Sequence, residues 1–126
     1  MACDDIFEKK LENKMVTVVA PIDGATLIEG NVTFLWVPME GANGYHITIV
    51  SPSFKAATMV VADTLLIDDS VTVRRMFWQT FTPGDYQWSI TAFNFAYRSA
   101  ESVFDLHITA PQTPSEPDTT SEQPEP

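Results

Sequence analysis

The stretch Phe81-Thr82-Pro83-Gly84-Asp85-Tyr86-Gln87-Trp88-Ser89-Ile90-Thr91-Ala92-Phe93-Asn94 decides the fold. It opens on a turn signal, Pro83-Gly84, and then alternates. Tyr86, Trp88, Ile90 and Ala92 fall on one side, and Gln87, Ser89 and Thr91 on the other. Successive side chains of an extended chain point to opposite faces. Aromatic and aliphatic residues alternating with small polar ones therefore describe a strand with one buried face and one wet face.

Working outward, the same period recurs. Residues 15–20 (MVTVVA) end at Pro21, and Asp23-Gly24 marks a turn. Residues 31–37 (NVTFLWV) put Val32, Phe34 and Trp36 on one face, and residues 45–50 (YHITIV) do the same with Tyr45, Ile47 and Ile49. Residues 57–62 and 65–67 read as one or two short edge strands. Residues 102–109 place Phe104, Leu106 and Ile108 inward. In residues 71–78 the reading sets Met76 and Trp78 inward and Phe77 outward. That puts Arg74 on the inner side and calls for a kink or bulge near Arg74-Arg75. Short strands about ten residues apart with Gly/Pro punctuation, and no helical period, give an all-β sandwich.

Three features resemble the fibronectin type III pattern of immunoglobulin-like sandwiches. Trp36 stands like the inner tryptophan of strand B, and Gly41-Ala42-Asn43-Gly44-Tyr45 is similar to the entry into strand C. Phe81 through Tyr86 resembles the corner leading into strand F. The resemblance implies a seven-stranded antiparallel sandwich in which the Tyr86 hydroxyl bonds back to upstream backbone. It divides the chain into an N-terminal linker (1–14), a sandwich (15–110) and a disordered acidic Pro/Glu/Ser/Thr-rich tail (111–126). The linker is expected to be disordered too, although Ile6, Phe7 and Leu11 are spaced so that a stub packing on the sandwich base is conceivable. The tail holds five prolines, four acids and no residue able to build a core.

Composition narrows function. The 126 residues are 44% hydrophobic, enough for a core, and carry a formal net charge of −10. No Lys/Arg cluster suits a phosphate backbone or an anionic lipid surface, so nucleic-acid and polybasic membrane binding are excluded. The acidic balance reads as solubility. No apolar run approaches the roughly 20 residues that span a bilayer. The single cysteine, Cys3, rules out an intramolecular disulfide and a Cys-rich metal site.

Catalysis finds no constellation. His46 and His107 take outward strand positions with no nucleophile motif beside them. Asp4-Asp5 and Asp68-Asp69 are adjacent on extended chain, so their carboxylates diverge. Asp63, Asp68 and Asp69 supply too few oxygens for calcium and read more plainly as a charged sheet edge. No metal or cofactor is expected. Trp36, Trp88 and Trp78 are assigned to the core. The remaining aromatics suggest a binding surface: Phe93 and Phe77 on outward parity, Phe95 and Tyr97 in the loop between strands F and G, and Met39 at the same pole. Loops on a rigid scaffold commonly carry ligand contacts. The bland alternative is that Phe95 and Tyr97 fold back over the sandwich end.

Both ends of the chain point to an address. Ala2-Cys3 followed by Asp4-Asp5 resembles the mature start of a lipoprotein exported to the outer face of a Bacteroidetes outer membrane. The opening Cys-Asp-Asp-Ile-Phe-Glu-Lys is similar to short fibronectin type III lipoproteins of that group. The resemblance implies a lipid on Cys3 as the membrane contact. Asp63-Thr64-Leu65, Asp69-Ser70-Val71 and Asp118-Thr119-Thr120 resemble O-glycosylation acceptors of the same proteins, marking Thr64, Ser70 and Thr119. The expectation is a monomeric, non-catalytic, surface-exposed module for an unknown protein or glycan partner. The alternatives are a carbohydrate-binding module and a subunit pairing through an open edge strand.

Overall fold

The computed structural model of the chain describes residues 10–68 and 74–111. These form eight strands: β1 (Thr17–Ala20), β2 (Ala25–Ile28), β3 (Gly30–Val37), β4 (Gly44–Ser51), β5 (Met59–Ile67), β6 (Met76–Phe81), β7 (Gly84–Phe93) and β8 (Ser102–Thr109). One sheet has the order β1-β3-β6, and the other β2-β8-β7-β4-β5. All pairings are antiparallel except β2 with β8.

The expected count of seven strands is corrected to eight. The addition is β2, which leaves the three-stranded sheet at Pro21 and joins the edge of the other. A turn makes the transfer. Gly24 adopts φ 79°, a conformation that favours glycine, and its N–H reaches Asp105 O at 2.8 Å. Asp23 Oδ1 in return accepts the Asp105 N–H at 2.8 Å. The parallel register Ala25↔Leu106 to Ile28↔Thr109 follows.

The inner faces share one aromatic filling. Trp88 is fully buried, with Phe34 of the opposite sheet edge-on at 4.7 Å and Phe104 beside it at 4.9 Å. Trp36 meets Tyr45 at 5.3 Å, again across the sheets. Phe81 packs edge-on against Tyr86 at 4.8 Å, and Tyr86 Oη donates to Thr82 O at 2.7 Å, closing the corner as expected. Each large side chain so buried contributes roughly 1.5–3 kcal/mol.

Two expectations are overturned. In β6 the inward residues are Phe77, Gln79 and Phe81, while Met76 and Trp78 are exposed, Trp78 at 59%. Strict alternation back from Phe81 requires this parity. β6 pairs with β3 in unbroken register from Gly30↔Phe81 to Leu35↔Met76, which sets Phe77 against Phe34 at 6.0 Å. The anticipated bulge at Arg74-Arg75 is not needed; among the described strands the irregularities lie at Val18/Ala20 of β1 and Ile49/Val50 of β4. The second correction concerns the linker. Leu11 is fully buried in the core, Lys14 N–H bonds Leu11 O, and Ala100 N–H bonds Lys14 O at 2.8 Å. The packed body therefore begins inside the segment assigned to residues 1–14. The expected disorder of its first nine residues, and of residues 112–126, lies outside the described residues.

Replacing Tyr86 with Phe keeps the ring packing and removes the hydroxyl's bond to Thr82 O together with its longer contact to the Thr82 hydroxyl. The expected loss is about 0.5–1.5 kcal/mol, read as a lower urea midpoint at unchanged slope.

Candidate functional site

One pole of the sandwich gathers the β3–β4 loop (residues 38–43), the β7–β8 loop (residues 94–101) and the incoming chain at Leu11–Met15. Asn94, 7% exposed, acts as the clamp. Its Oδ1 accepts from Ala96 N–H at 3.0 Å and Tyr97 N–H at 2.8 Å, and its Nδ2 donates to Gly41 O at 3.0 Å. A short polar side chain that bonds backbone two and three residues on is the usual device for a tight turn. Ser99 closes the other end, its hydroxyl accepting the Ala92 N–H at 2.9 Å and its own N–H bonding Ala92 O at 2.8 Å. Below, the Tyr45 hydroxyl accepts the Met39 N–H at 2.8 Å. Burial pushes the Tyr45 phenol above its ordinary pKa, partly offset by that Met39 N–H.

The five residues singled out as contacts do not form one patch. Phe95 stands at the loop tip, 92% exposed. Tyr97 and Met39 are partly buried against the core, and Phe77 packs inside on the other sheet. Phe93 lies half-buried on the outer face of the five-stranded sheet, directly across from Gly44. A Cβ on Gly44 would stand 2.8 Å from the Phe93 ring and 2.6 Å from Leu66 O, so the missing side chain is what lets the ring lie flat there. The Arg98 guanidinium sits 5.8 Å from the Phe93 centroid.

Charged side chains on that outer face are engaged with one another. His46 Nε2 contacts Asp63 Oδ1, and His46 Nδ1 contacts Arg98 Nη2 at 3.2 Å. His107 Nδ1 meets Asp85 Oδ1 at 2.8 Å, and Asp68 Oδ1 accepts the Arg74 N–H at 2.7 Å. Among the described residues no group of three or more His, Cys, Asp or Glu gathers to hold a metal ion. Thr64 lies half-buried opposite Ile47, on the interior side of β5. Ser70, Thr119, Asp69 and Cys3 lie outside the described residues.

Two further surfaces stand out, of which the sequence reading anticipated only the second, an open strand edge. On the outer face of the three-stranded sheet, Trp78 stands opposite Thr33, next to Met76 and to an Asn31–Thr80 side-chain hydrogen bond of 2.5 Å. Correct parity from Phe81 would have revealed it. The other is the edge of the five-stranded sheet, where β5 exposes Met59, Val60, Leu65 and Ile67.

No family model matches the chain, and no curated protein matches it. Solved structures do. The fibronectin(III)-like modules of Clostridium thermocellum CbhA superpose with a TM-score of 0.53 at 9% identity, covering 78% of this chain and 100% of theirs. The fold is fibronectin type III-like. The human KIAA0970 fibronectin type III domain gives 0.51 at 16% identity, covering 99% of this chain and 97% of its own. At such identities the likeness is one of architecture alone, and function has to be argued from this chain's own surfaces.

Two measurements check these placements. Acrylamide is expected to quench only Trp78, because Trp36 and Trp88 are 3% and 0% exposed; Trp78→Phe then removes the quenchable emission. Gly44→Ala is expected to cost about 1–3 kcal/mol and to shift the Phe93 ring resonances.

Proposed function

We propose that this fibronectin type III-like chain is a non-catalytic binding or spacer module of a bacterial cell envelope, tethered to the outer membrane through a lipid on Cys3. The observation that carries the binding part is Phe95. A large apolar ring 92% exposed at the tip of a loop braced by Asn94 and Ser99 is presented where a partner can reach it. Sandwiches of this kind commonly serve as binding or spacing units, which agrees with that reading.

The route of the N-terminal segment supports the tether geometry. Leu11 is anchored at the pole that carries Phe95, so seven residues lie between the anchored chain and Cys3, a reach of at most roughly 28 Å over eight steps. The loop pole then faces the membrane, where a partner in the same envelope meets it. Asp4-Asp5 after the cysteine supports export to the outer face. The partner class is a protein or a glycan.

Two further readings each have an observation in their favour. A carbohydrate-binding role gains from Phe95 and, more than from Phe93 or Tyr97, from the exposed indole of Trp78 with Thr33, Asn31 and Thr80 around it. A flat ring beside neutral hydrogen-bonding groups suits a sugar's C–H face and hydroxyls. Assembly through β5 gains from its open edge and four exposed apolar side chains.

Metabolic labelling with an alkyne fatty acid in the native cell is expected to tag the protein, and Cys3→Ala to abolish the tag; labelling that persists overturns the anchor. A silent glycan array removes the carbohydrate reading, and loss of a glycan signal on Trp78→Ala but not Phe95→Ala assigns it to the sheet face. A concentration-independent monomer mass in sedimentation removes assembly.

A further inference from the structure

Three side chains from three elements meet in a line on the outer face of the five-stranded sheet. His46 of β4 lies between Asp63 of β5, whose Oδ1 contacts Nε2, and Arg98 of the β7–β8 loop, whose Nη2 is 3.2 Å from Nδ1. A guanidinium nitrogen only donates, so Nδ1 must be the ring nitrogen with the lone pair. The ring proton then sits on Nε2 and is donated to the Asp63 carboxylate. The contacts thus select one tautomer of the neutral imidazole, with an acceptor aimed at Arg98 and a donor aimed at Asp63.

We infer that this line is a pH-responsive latch on Arg98. When His46 takes up a second proton, Nδ1 becomes a donor facing a donor, and an imidazolium faces a guanidinium. The Arg98 contact is lost by both valence and charge. The bond to Asp63 turns into an ion pair and tightens β4 against β5. The charged groups facing His46 are Asp63 from β5 and Arg98 from the loop. Opposite it, β7 supplies Thr91 and β5 supplies Leu65, and Thr48 on its own strand lies 3.4 Å from Nε2; none of these three carries charge.

The loop backbone does not depend on the latch. Asn94 accepts from the Ala96 and Tyr97 amides, and Ser99 from the Ala92 amide, and these bonds are to backbone. Acid therefore frees the Arg98 side chain while leaving the loop in place. The guanidinium, held at neutral pH against His46 and near the Phe93 ring, becomes available at the pole that carries Phe95. This holds whichever ligand the domain takes.

Nitrogen-15 NMR of the Arg98 guanidinium and the Phe93 ring protons, followed from about pH 8 to pH 5, tests it. The Arg98 Nε and Phe93 ring resonances are expected to move together in one step that coincides with the His46 ring titration. The step should vanish in His46→Gln and persist in His107→Gln, whose imidazole pairs with Asp85. A step that survives His46→Gln, or Arg98 resonances that stay flat while His46 titrates, overturns the latch. Should His46→Gln misfold, the coincidence or mismatch of the two wild-type titrations decides alone.

Discussion

Trp88 sits where the two sheets face each other, and the position of every surface feature descends from how it is packed. Phe34 reaches it edge-on from the opposite sheet, and Phe104 covers it from the neighbouring strand. Burial of apolar area is non-directional, but ring pairs prefer edge-to-face or offset contact, so the filling also sets the mutual orientation of the sheets. Phe81 and Tyr86 repeat the arrangement at the corner, with the Tyr86 hydroxyl tied to Thr82 backbone. Once those inner faces are locked, period-two geometry leaves the outer residues no choice of side. Trp78, His46 and Phe93 are outward for the same reason that Phe77, Ile47 and Ala92 are inward.

The pole that holds the candidate site is rigid at its backbone and open at a few side chains. Asn94 and Ser99 satisfy the loop's amides from within, and Leu11 plugs the core beneath. Ordering cost is thus met by folding rather than at the moment of binding, the arrangement that favours a recognition surface. The apolar side chains expected to cluster there were instead divided. Met39, Tyr97 and Phe77 pack partly buried against the core, Phe93 lies on the outer sheet face, and Phe95 stands exposed at the loop tip. The sandwich therefore offers several separate small surfaces, a loop tip, a tryptophan on a sheet face and an apolar strand edge, in place of one large patch.

Much of this was legible beforehand, and what escaped shares a cause. The strands around Trp36, Tyr45, Trp88 and Leu106 announce themselves because alternation is a local property, repeated over eight or so residues each. The Tyr86 corner was legible from the turn in front of it. β2 was not, because four residues after a glycine turn carry too little period, and its partner, β8, lies some 80 residues on. Parity in β6 was readable from Phe81 and was misread, which hid Trp78. Leu11 stood out in the linker as one of three apolar residues spaced to pack on the sandwich base, but nothing local shows that Ala100 bonds the chain beside it.

Residue order alone settled the class of fold, the inward placing of Trp36 and Trp88, and the corner, all consequences of short-range periodicity. Only the folded chain decided which rings remain in solvent, that eight strands rather than seven divide as three and five, and that Asp63, His46 and Arg98 stand in line. The last depends on contacts 17 and 52 positions apart and the eighth strand on a partner some 80 away, and such contacts exist only after the core has chosen the register of its sheets.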